Sequence, residues 1–317
     1  MTVGIVVIGR NEGERLIACL RSLGELVHRT LYVDSGSSDD SVAAARDLGA
    51  SVIVLDPTLP FTAARARNQG LAALVERFPE VAYVQFVDGD CMLDGQWLLE
   101  AQRFLDAHPD VAVVCGRRRE RFPERSIYNR LCDREWDTRI GEALECGGDM
   151  MARRDALHAV GGYADDLIAG EEPEMCLRLR EAGWRIWRID AEMTLHDANL
   201  LRFGQWWRRS MRAGHAFAEV SARHAGSPLR IWKRQTWRAV LWGALLPGGI
   251  VMAAALLHPA CLLLLLIYPL QVMRLARGGG WQAAFFMVLG KFPEALGAAR
   301  YYRNRLLRRA GGLMEYK

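Results

Sequence analysis

The stretch Tyr83-Val84-Gln85-Phe86-Val87-Asp88-Gly89-Asp90 is an apolar run that stops on two carboxylates flanking a glycine. The run Tyr83–Val87 reads as a buried strand. The acids then project from the strand end, and the glycine lets the backbone turn closely beside a ligand. Two carboxylates with substrate phosphates are the usual way to hold a hard divalent ion such as Mg²⁺ or Mn²⁺. A D-x-D triplet also occurs by chance, and a solvated turn is the simpler account. Its place at a strand end is what makes Asp88 and Asp90 candidates.

Working outward, strand and helix signals alternate. Val3–Ile8 is a β-branched run, and Leu16, Cys19, Leu20 and Leu23 follow at helical spacing. Leu31–Val33 reads as a second strand, ending in the turn cluster Asp34-Ser35-Gly36-Ser37-Ser38-Asp39, with a helix from near Asp40. Val52–Leu55, Tyr83–Val87 and Val111–Val114 read as further strands, and Ala63–Leu74 and Trp97–Leu105 as helices. Continuous apolar strands alternating with helices predict an α/β fold, a Rossmann-like, mainly parallel sheet with helices on both faces. Ligands of such sheets bind at the carboxyl ends of the strands, so the chemistry belongs just after Ile8, Val33 and Val87.

The chain has 317 residues, 51% hydrophobic and 25% charged, with a net charge of +4. These proportions exclude a disordered chain, a collagen-like repeat and a small disulfide-stapled domain. A charge of +4 is too small to argue for nucleic acid. The seven cysteines are odd in number and form no C-x-x-C pair, which speaks against a disulfide framework or a zinc site and fits a reducing cytosol. No positive region precedes Val3–Ile8, and Arg10, Asn11 and Glu12 close that run early, so it reads as a strand rather than a secretory signal.

Near the other end, Ala239–Leu257 and Ala260–Ala276 are almost uncharged. Each approaches the roughly 20 residues that cross a bilayer. Arg234 and Arg238 precede the pair and Arg274 and Arg277 follow it, so both flanks belong on the cytoplasmic side, as a two-helix hairpin allows. Pro247-Gly248-Gly249 weakens the first helix and keeps a shallow re-entrant hairpin open. A buried core hairpin in a soluble protein is the simpler alternative. Trp281–Arg309 reads as an interfacial amphipathic helix with a basic end. The expected organisation is a catalytic domain over 1–235, a hydrophobic membrane hairpin over 236–277 and an interfacial basic tail over 278–317.

Other residues carry candidate chemistry. Asp34 stands at the end of the second strand and can accept hydrogen bonds from a base or ribose, or simply cap its own turn. Asn11 and Glu12 follow the first strand into the same crevice. Of Arg65 and Arg67, one can direct its guanidinium at a diphosphate, although a solvated basic face would look the same. Glu171, Glu172 and Glu174 open a helix, where they either complement its dipole or supply a general base. His196 follows the strand Trp184–Ile189; a lone His is usually structural, and here it is also a candidate metal ligand or phosphate contact.

The order of these pieces resembles glycosyltransferase family 2. It runs from Asn11-Glu12 and Asp34 through Ala66-Arg67-Asn68-Gln69-Gly70, Asp88-Gly89-Asp90 and Gly161-Gly162-Tyr163 to Glu171-Glu172 and Leu177-Arg178-Leu179-Arg180. The resemblance covers about Val3 to His196, and Gln205-Trp206-Trp207-Arg208-Arg209 looks like the post-catalytic segment of membrane-bound members. It implies the GT-A fold and an inverting transfer from a nucleotide sugar, and the membrane segment suggests as acceptor a hydroxyl of a lipid-linked or membrane-delivered glycan at the cytoplasmic face of the inner membrane. It implies a donor site of Asn11, Glu12, Asp34, Arg67 and Asp88. A Mg²⁺ or Mn²⁺ ion belongs on Asp90 with Asp88, and His196 is an extra ligand. Asp149, Trp206 and Arg209 fall on the acceptor side. The base is implied at the second acid of the Glu-Asp motif. This chain departs there, with Glu172 in place of Asp and Glu171 beside it, and Ser35 replaces the second Asp of the Asp-Asp-Gly-Ser turn. Three rivals are a nucleotidyltransferase, which the short acidic loop Gly9–Gly13 disfavours, an inactive nucleotide-sugar-binding membrane scaffold, and a purely structural membrane anchor, which leaves the ordered carboxylates unexplained.

Overall fold

The structure, a computed structural model, describes residues 2–307. They divide into two compact units, one ending at Leu201 and the other beginning at Arg202. The first unit therefore closes ahead of the boundary expected at 235.

In the first unit, β1 (Val3–Gly9), α1 (Glu14–Ser22), β2 (Thr30–Asp34), α2 (Ser41–Asp47) and β3 (Ser51–Val54) come first, then α3 (Ala63–Arg77) and β4 (Tyr83–Asp88). β5 (Cys91–Leu93), α4 (Trp97–Ala107), β6 (Val111–Glu120), α5 (Ile127–Trp136), β7 (Gly141–Ala143) and β8 (Met150–Arg153) follow. α6 (Arg154–Ala159), α7 (Glu171–Glu181) and β9 (Arg185–His196) complete the unit. The strands join one sheet in the order β3-β2-β1-β4-β8-β6-β9-β5, with β7 on β9.

β1, β2, β3 and β4 pair in parallel, as the alternation predicts. Beyond β4 the sheet is mixed: β8 lies antiparallel between β4 and β6, while β9 runs parallel to β6. The short strands β5, β7 and β8 span three or four residues each, too few for alternation to be legible in the sequence. β1 is buried along almost its whole length, so both of its faces are covered. Ile5, Val7, Val33, Phe86, Val87 and Val113 lie in this core, each worth about 1.5–3 kcal/mol of burial.

The second unit is helical: α8 (Phe203–Arg223), α9 (Lys233–Val240), α10 (Leu246–Leu256), α11 (Ile267–Gly279), α12 (Trp281–Leu289) and α13 (Lys291–Leu306). α8 and α13 approach to backbone contact. A β-carbon on Gly214 would stand 2.0 Å from the Glu294 carbonyl oxygen, and one on Gly297 2.0 Å from that of Met211. The stretch expected as a tail from 278 is thus built into this unit as far as it is described; residues 308–317 lie outside the described residues.

Two helical runs, Lys233–Leu256 and Pro259–Gly279, are long and apolar enough to cross a membrane. The first contains a π-helical turn over Leu241–Leu245, ending two residues before Pro247, whose missing N–H breaks the α-helical ladder. Between the runs, His258 Nδ1 accepts the Ala260 N–H at 3.1 Å and caps the second. The Tyr268 hydroxyl donates to the Trp242 carbonyl at 2.6 Å, so the chain turns back on itself as the hairpin reading requires. Leu256 and Leu257 are 75% and 80% exposed, which the buried-core alternative does not produce.

Candidate active site

Strand register brings the site together. Gly9 lies opposite Asp34, and Ile8 opposite Asp88. The ends of β1, β2 and β4 are therefore level, where open parallel sheets bind ligands. The turn amides cross-link them: Ser35 N–H donates to Gly9 O at 3.0 Å and Gly89 N–H to Ile8 O at 2.8 Å.

Asp34 is buried. Its Oδ1 accepts the Tyr32 hydroxyl at 3.0 Å, and its Oδ2 accepts the amides of Gly36 and Ser37 at 3.0 and 2.8 Å. It builds its own turn and retains lone pairs for a ligand. Asn11, at φ 54°, receives Ser38 N–H at 2.7 Å and donates its own N–H to Ser37 at 2.9 Å, knitting the two loops together. Glu12 pairs with Arg15 at 2.7 Å.

Arg65 and Arg67 divide their work. The first binds the carbonyls of Asp56, Leu59 and Pro60 and shapes the loop before α3. Arg67 turns inward and is 2% exposed. Its Nη2 meets Asp88 Oδ1 at 2.8 Å, and its Nη1 meets Glu171 at 3.0 Å and Glu172 at 2.9 Å. One guanidinium thus joins the end of β4 to the start of α7. Asn68 fixes this arrangement by bridging the Tyr163 backbone, its Nδ2 donating at 2.8 Å and its Oδ1 accepting at 2.9 Å. Gly148 lies beneath it: a β-carbon there would stand 2.4 Å from Arg67 Nη2 and 3.0 Å from the Asp88 carboxylate oxygens, so the ion pair would have to shift.

The three acids of α7 differ. Glu174 is buried against Arg178, whose Nη2 lies 2.7 Å away, and is structural. Glu171 is buried on Arg67. The Glu172 side chain keeps 13% exposure and faces the same guanidinium. Burial, with Glu171 and Asp88 adding repulsion against the pull of Arg67, pushes the Glu172 carboxyl up to about 7. A carboxyl poised there suits a general base at neutral pH.

Asp90 and His196 are brought together by the antiparallel pairing of β5 and β9, which sets Cys91 opposite His196. His196 Nε2 lies 3.4 Å from Asp90 Oδ1, and both residues are buried. Burial, with Arg118 nearby, pushes the imidazole pKa down, so it is neutral and free to ligate. Its Nδ1 is buried without a hydrogen bond, with Glu120 Oε2 at 3.8 Å, and the Trp136 ring packs edge-on against it. Ligand atoms of Asp90, Cys91 and His196 all lie within 4.8 Å of one another. The carboxylate and imidazole fit a divalent ion. Burial holds the Cys91 thiol well above its ordinary value, so it adds no charge.

Asp149, expected toward the acceptor, lies beneath the strand end at 1% exposure. Its Oδ1 accepts Asp88 N–H at 3.0 Å and its Oδ2 accepts the Thr194 hydroxyl at 2.8 Å. Trp206 and Arg209 stand on α8 of the second unit, where Trp206 packs against Phe286 at 4.9 Å. Arg118, Cys91 and Glu120 escaped the sequence reading. The run Arg117-Arg118-Arg119 in a strand signals that at least one arginine turns inward, but the register shifts on either side of Arg117 hide which one reaches the site.

Residues 4–161 match the model of the glycosyl transferase family 2. The chain belongs to glycosyltransferase family 2. It is 29% identical over 252 residues to a pre-mycofactocin glycosyltransferase of Mycobacterium tuberculosis, covering 70% of this chain and 48% of that protein. It is 28% identical over 187 residues to the succinoglycan biosynthesis protein ExoA of Rhizobium meliloti, covering 56% of each. The chain thus spans about half the length of these curated relatives. The fold is that of a solved mannosyltransferase, PcManGT from Pyrobaculum calidifontis in complex with GDP-Man and Mn²⁺. The two superpose with a TM-score of 0.67 at 20% identity, over 94% of this chain and 87% of that one.

Proposed function

We propose that this family 2 enzyme inverts a sugar as it moves it from a nucleotide-sugar donor to a hydroxyl of a lipid-linked or membrane-delivered glycan. The single observation that carries the reading is the Asp88–Arg67–Glu172 connection. One buried guanidinium holds the donor-side strand end and a carboxyl poised near neutrality in one frame. Glu172 takes the proton from the acceptor hydroxyl as its oxygen bonds to the anomeric carbon. The bond from that carbon to the diphosphate oxygen breaks on the opposite face, and the diphosphate leaves with the electron pair. No covalent sugar–enzyme intermediate forms, so configuration inverts. Asp90 and His196 would hold Mg²⁺ or Mn²⁺, without the Asp88 expected beside them, because Arg67 and Arg118 take one oxygen of Asp88 each; the ion when bound neutralises charge on the leaving diphosphate. Asp34 and Asn11 present the crevice where base and ribose lie. The Mn²⁺ and GDP-Man of the mannosyltransferase and the succinoglycan role of the Rhizobium relative support this reading.

The test is release of a nucleoside diphosphate. Membranes carrying the protein, incubated with a panel of nucleotide sugars, liberate one nucleoside diphosphate in preference to the others. If none is released and none of the donors binds, the reading is wrong.

The exposed apolar hairpin, with Arg234 and Arg238 before it and Arg274 and Arg277 after it, supports a bilayer location with both flanks and the catalytic unit on the cytoplasmic side. Leu and Ile contribute about −0.3 to −0.6 kcal/mol each at a membrane centre, so the two runs together outweigh their few polar groups. The protein is therefore expected to stay in the membrane pellet through a high-salt wash and to leave it only in detergent. Release by salt alone would reduce the hairpin to a surface contact.

A further inference from the structure

Two trios of ligating side chains share Cys91. In one, Asp90 and His196 join it; in the other, Asp88 and Asp149 do, with ligand atoms within 4.8 Å of one another in each. The second trio already has a cation. Arg118 Nη2 stands 3.2 Å from Asp88 Oδ2 and 3.6 Å from Cys91 Sγ, and its Nε stands 3.4 Å from Asp149 Oδ2. One guanidinium therefore touches all three members. The Trp136 ring lies 4.9 Å from its centre, a distance at which the ring face attracts a cation.

This placement answers an electrostatic need. Asp149 is among the most buried acids of the chain, and a buried carboxylate is retained only with a countercharge and hydrogen bonds. Asp88 N–H and the Thr194 hydroxyl supply hydrogen bonds, and Arg118 supplies the charge. Asp88 gains a second guanidinium on the oxygen that Arg67 does not take, so each of its oxygens is bound by an arginine. Register explains how Arg118 arrives there. It pairs with Thr194 across β6 and β9, two residues before His196, with Arg117 and Arg119 turned to other partners, Asp133 and Glu192.

We propose that Arg118 is a built-in cation for the Asp88–Cys91–Asp149 trio, a positioning residue that fixes Asp88 and leaves the Asp90–His196 pair as the one place for an added divalent ion. The inference rests on the metal-dependent donor site proposed above. A fixed cation differs from a bound ion in that it holds its acids in one geometry at any metal concentration.

The experiment counts Mn²⁺ ions bound per chain by electron paramagnetic resonance, on the full-length protein in detergent without donor. The unsubstituted protein is expected to bind one. Arg118→Ala vacates the second trio and is expected to bind two, whereas Arg118→Lys keeps the charge and binds one. The double variant Arg118→Ala, Asp149→Asn removes the acid with its partner and returns to one. No Mn²⁺ on the unsubstituted protein defeats the metal-dependent reading beneath the proposal. Two ions on the unsubstituted protein, or one on Arg118→Ala, overturns the proposal and leaves that reading standing. Should Arg118→Ala fail to fold, recovery of the fold in the double variant supports the charge pairing, and failure of both overturns it.

Discussion

Asp90→Ala is expected to lose Mn²⁺ binding and, with it, nucleotide-sugar turnover, while its far-ultraviolet circular dichroism stays that of the unsubstituted protein. Asp90 Oδ1 faces His196 Nε2 across 3.4 Å, and the ring's other nitrogen is backed by Glu120. A carboxylate on that side of the ring, drawn in to hydrogen-bond distance, is what orients a metal-bound imidazole. Changing an outer partner of such a ligand costs about 10–100-fold in metal affinity or activity, so removing the carboxylate itself should exceed about 100-fold. The measurement pairs a Mn²⁺ titration of the protein alone with turnover across metal concentrations. Chelator added to the unsubstituted protein should reproduce the variant, and restored Mn²⁺ or Mg²⁺ should reverse it. A variant that binds Mn²⁺ normally would move the ion to other ligands, and full turnover in excess chelator would remove the metal from the reaction.

The half of this site that lies on parallel strands could be read directly from the chain. Val3–Ile8, Leu31–Val33 and Tyr83–Val87 are unbroken or nearly unbroken apolar runs in a strand–helix alternation, and each is followed by polar residues. The carboxyl-end rule then brings Asn11, Asp34 and Asp88 together. The other half depends on β8, which inserts antiparallel between β4 and β6, and on β5, which meets β9 near His196. These strands are short, and their pairing partners lie tens of residues away, so no local period announces them. That is why the sequence does not show that Asp149 lies under Asp88 or that Arg118 joins them. The second unit shows the same limit. Its apolar runs were legible from composition, but the packing of α13 on α8 turns on Gly214 and Gly297, which look like ordinary helix glycines until the opposing carbonyls are seen.

Glu172→Gln is expected to cut turnover by about 10²–10⁴-fold, the usual worth of general-base catalysis, while donor binding persists. The amide keeps the size of the side chain and its contact with Arg67 but can no longer accept a proton. Glu171→Gln is expected to do less, since that carboxylate is buried on Arg67, and Glu174→Gln should act on stability through Arg178. Glu172→Asp shortens the side chain to the residue usual in the family and measures how far the backbone has adjusted to the longer acid. The pH profile separates this role from a helix-dipole role worth only about 0.3–1 kcal/mol. With the Glu172 carboxyl pushed up to about 7, mainly by burial, kcat should climb as pH rises toward 7 and level off above it, as the base form fills. Stability should move the other way. The unfolded chain releases this proton near 4.5, whereas the folded chain holds it to about 7, so the contribution of Glu172 is fully present below 4.5 and is lost as pH rises through that window. In Glu172→Gln both trends should flatten together. A variant with near-normal turnover and an unchanged rising limb would transfer the base to another acid, with Glu171 first in line because it shares the same guanidinium.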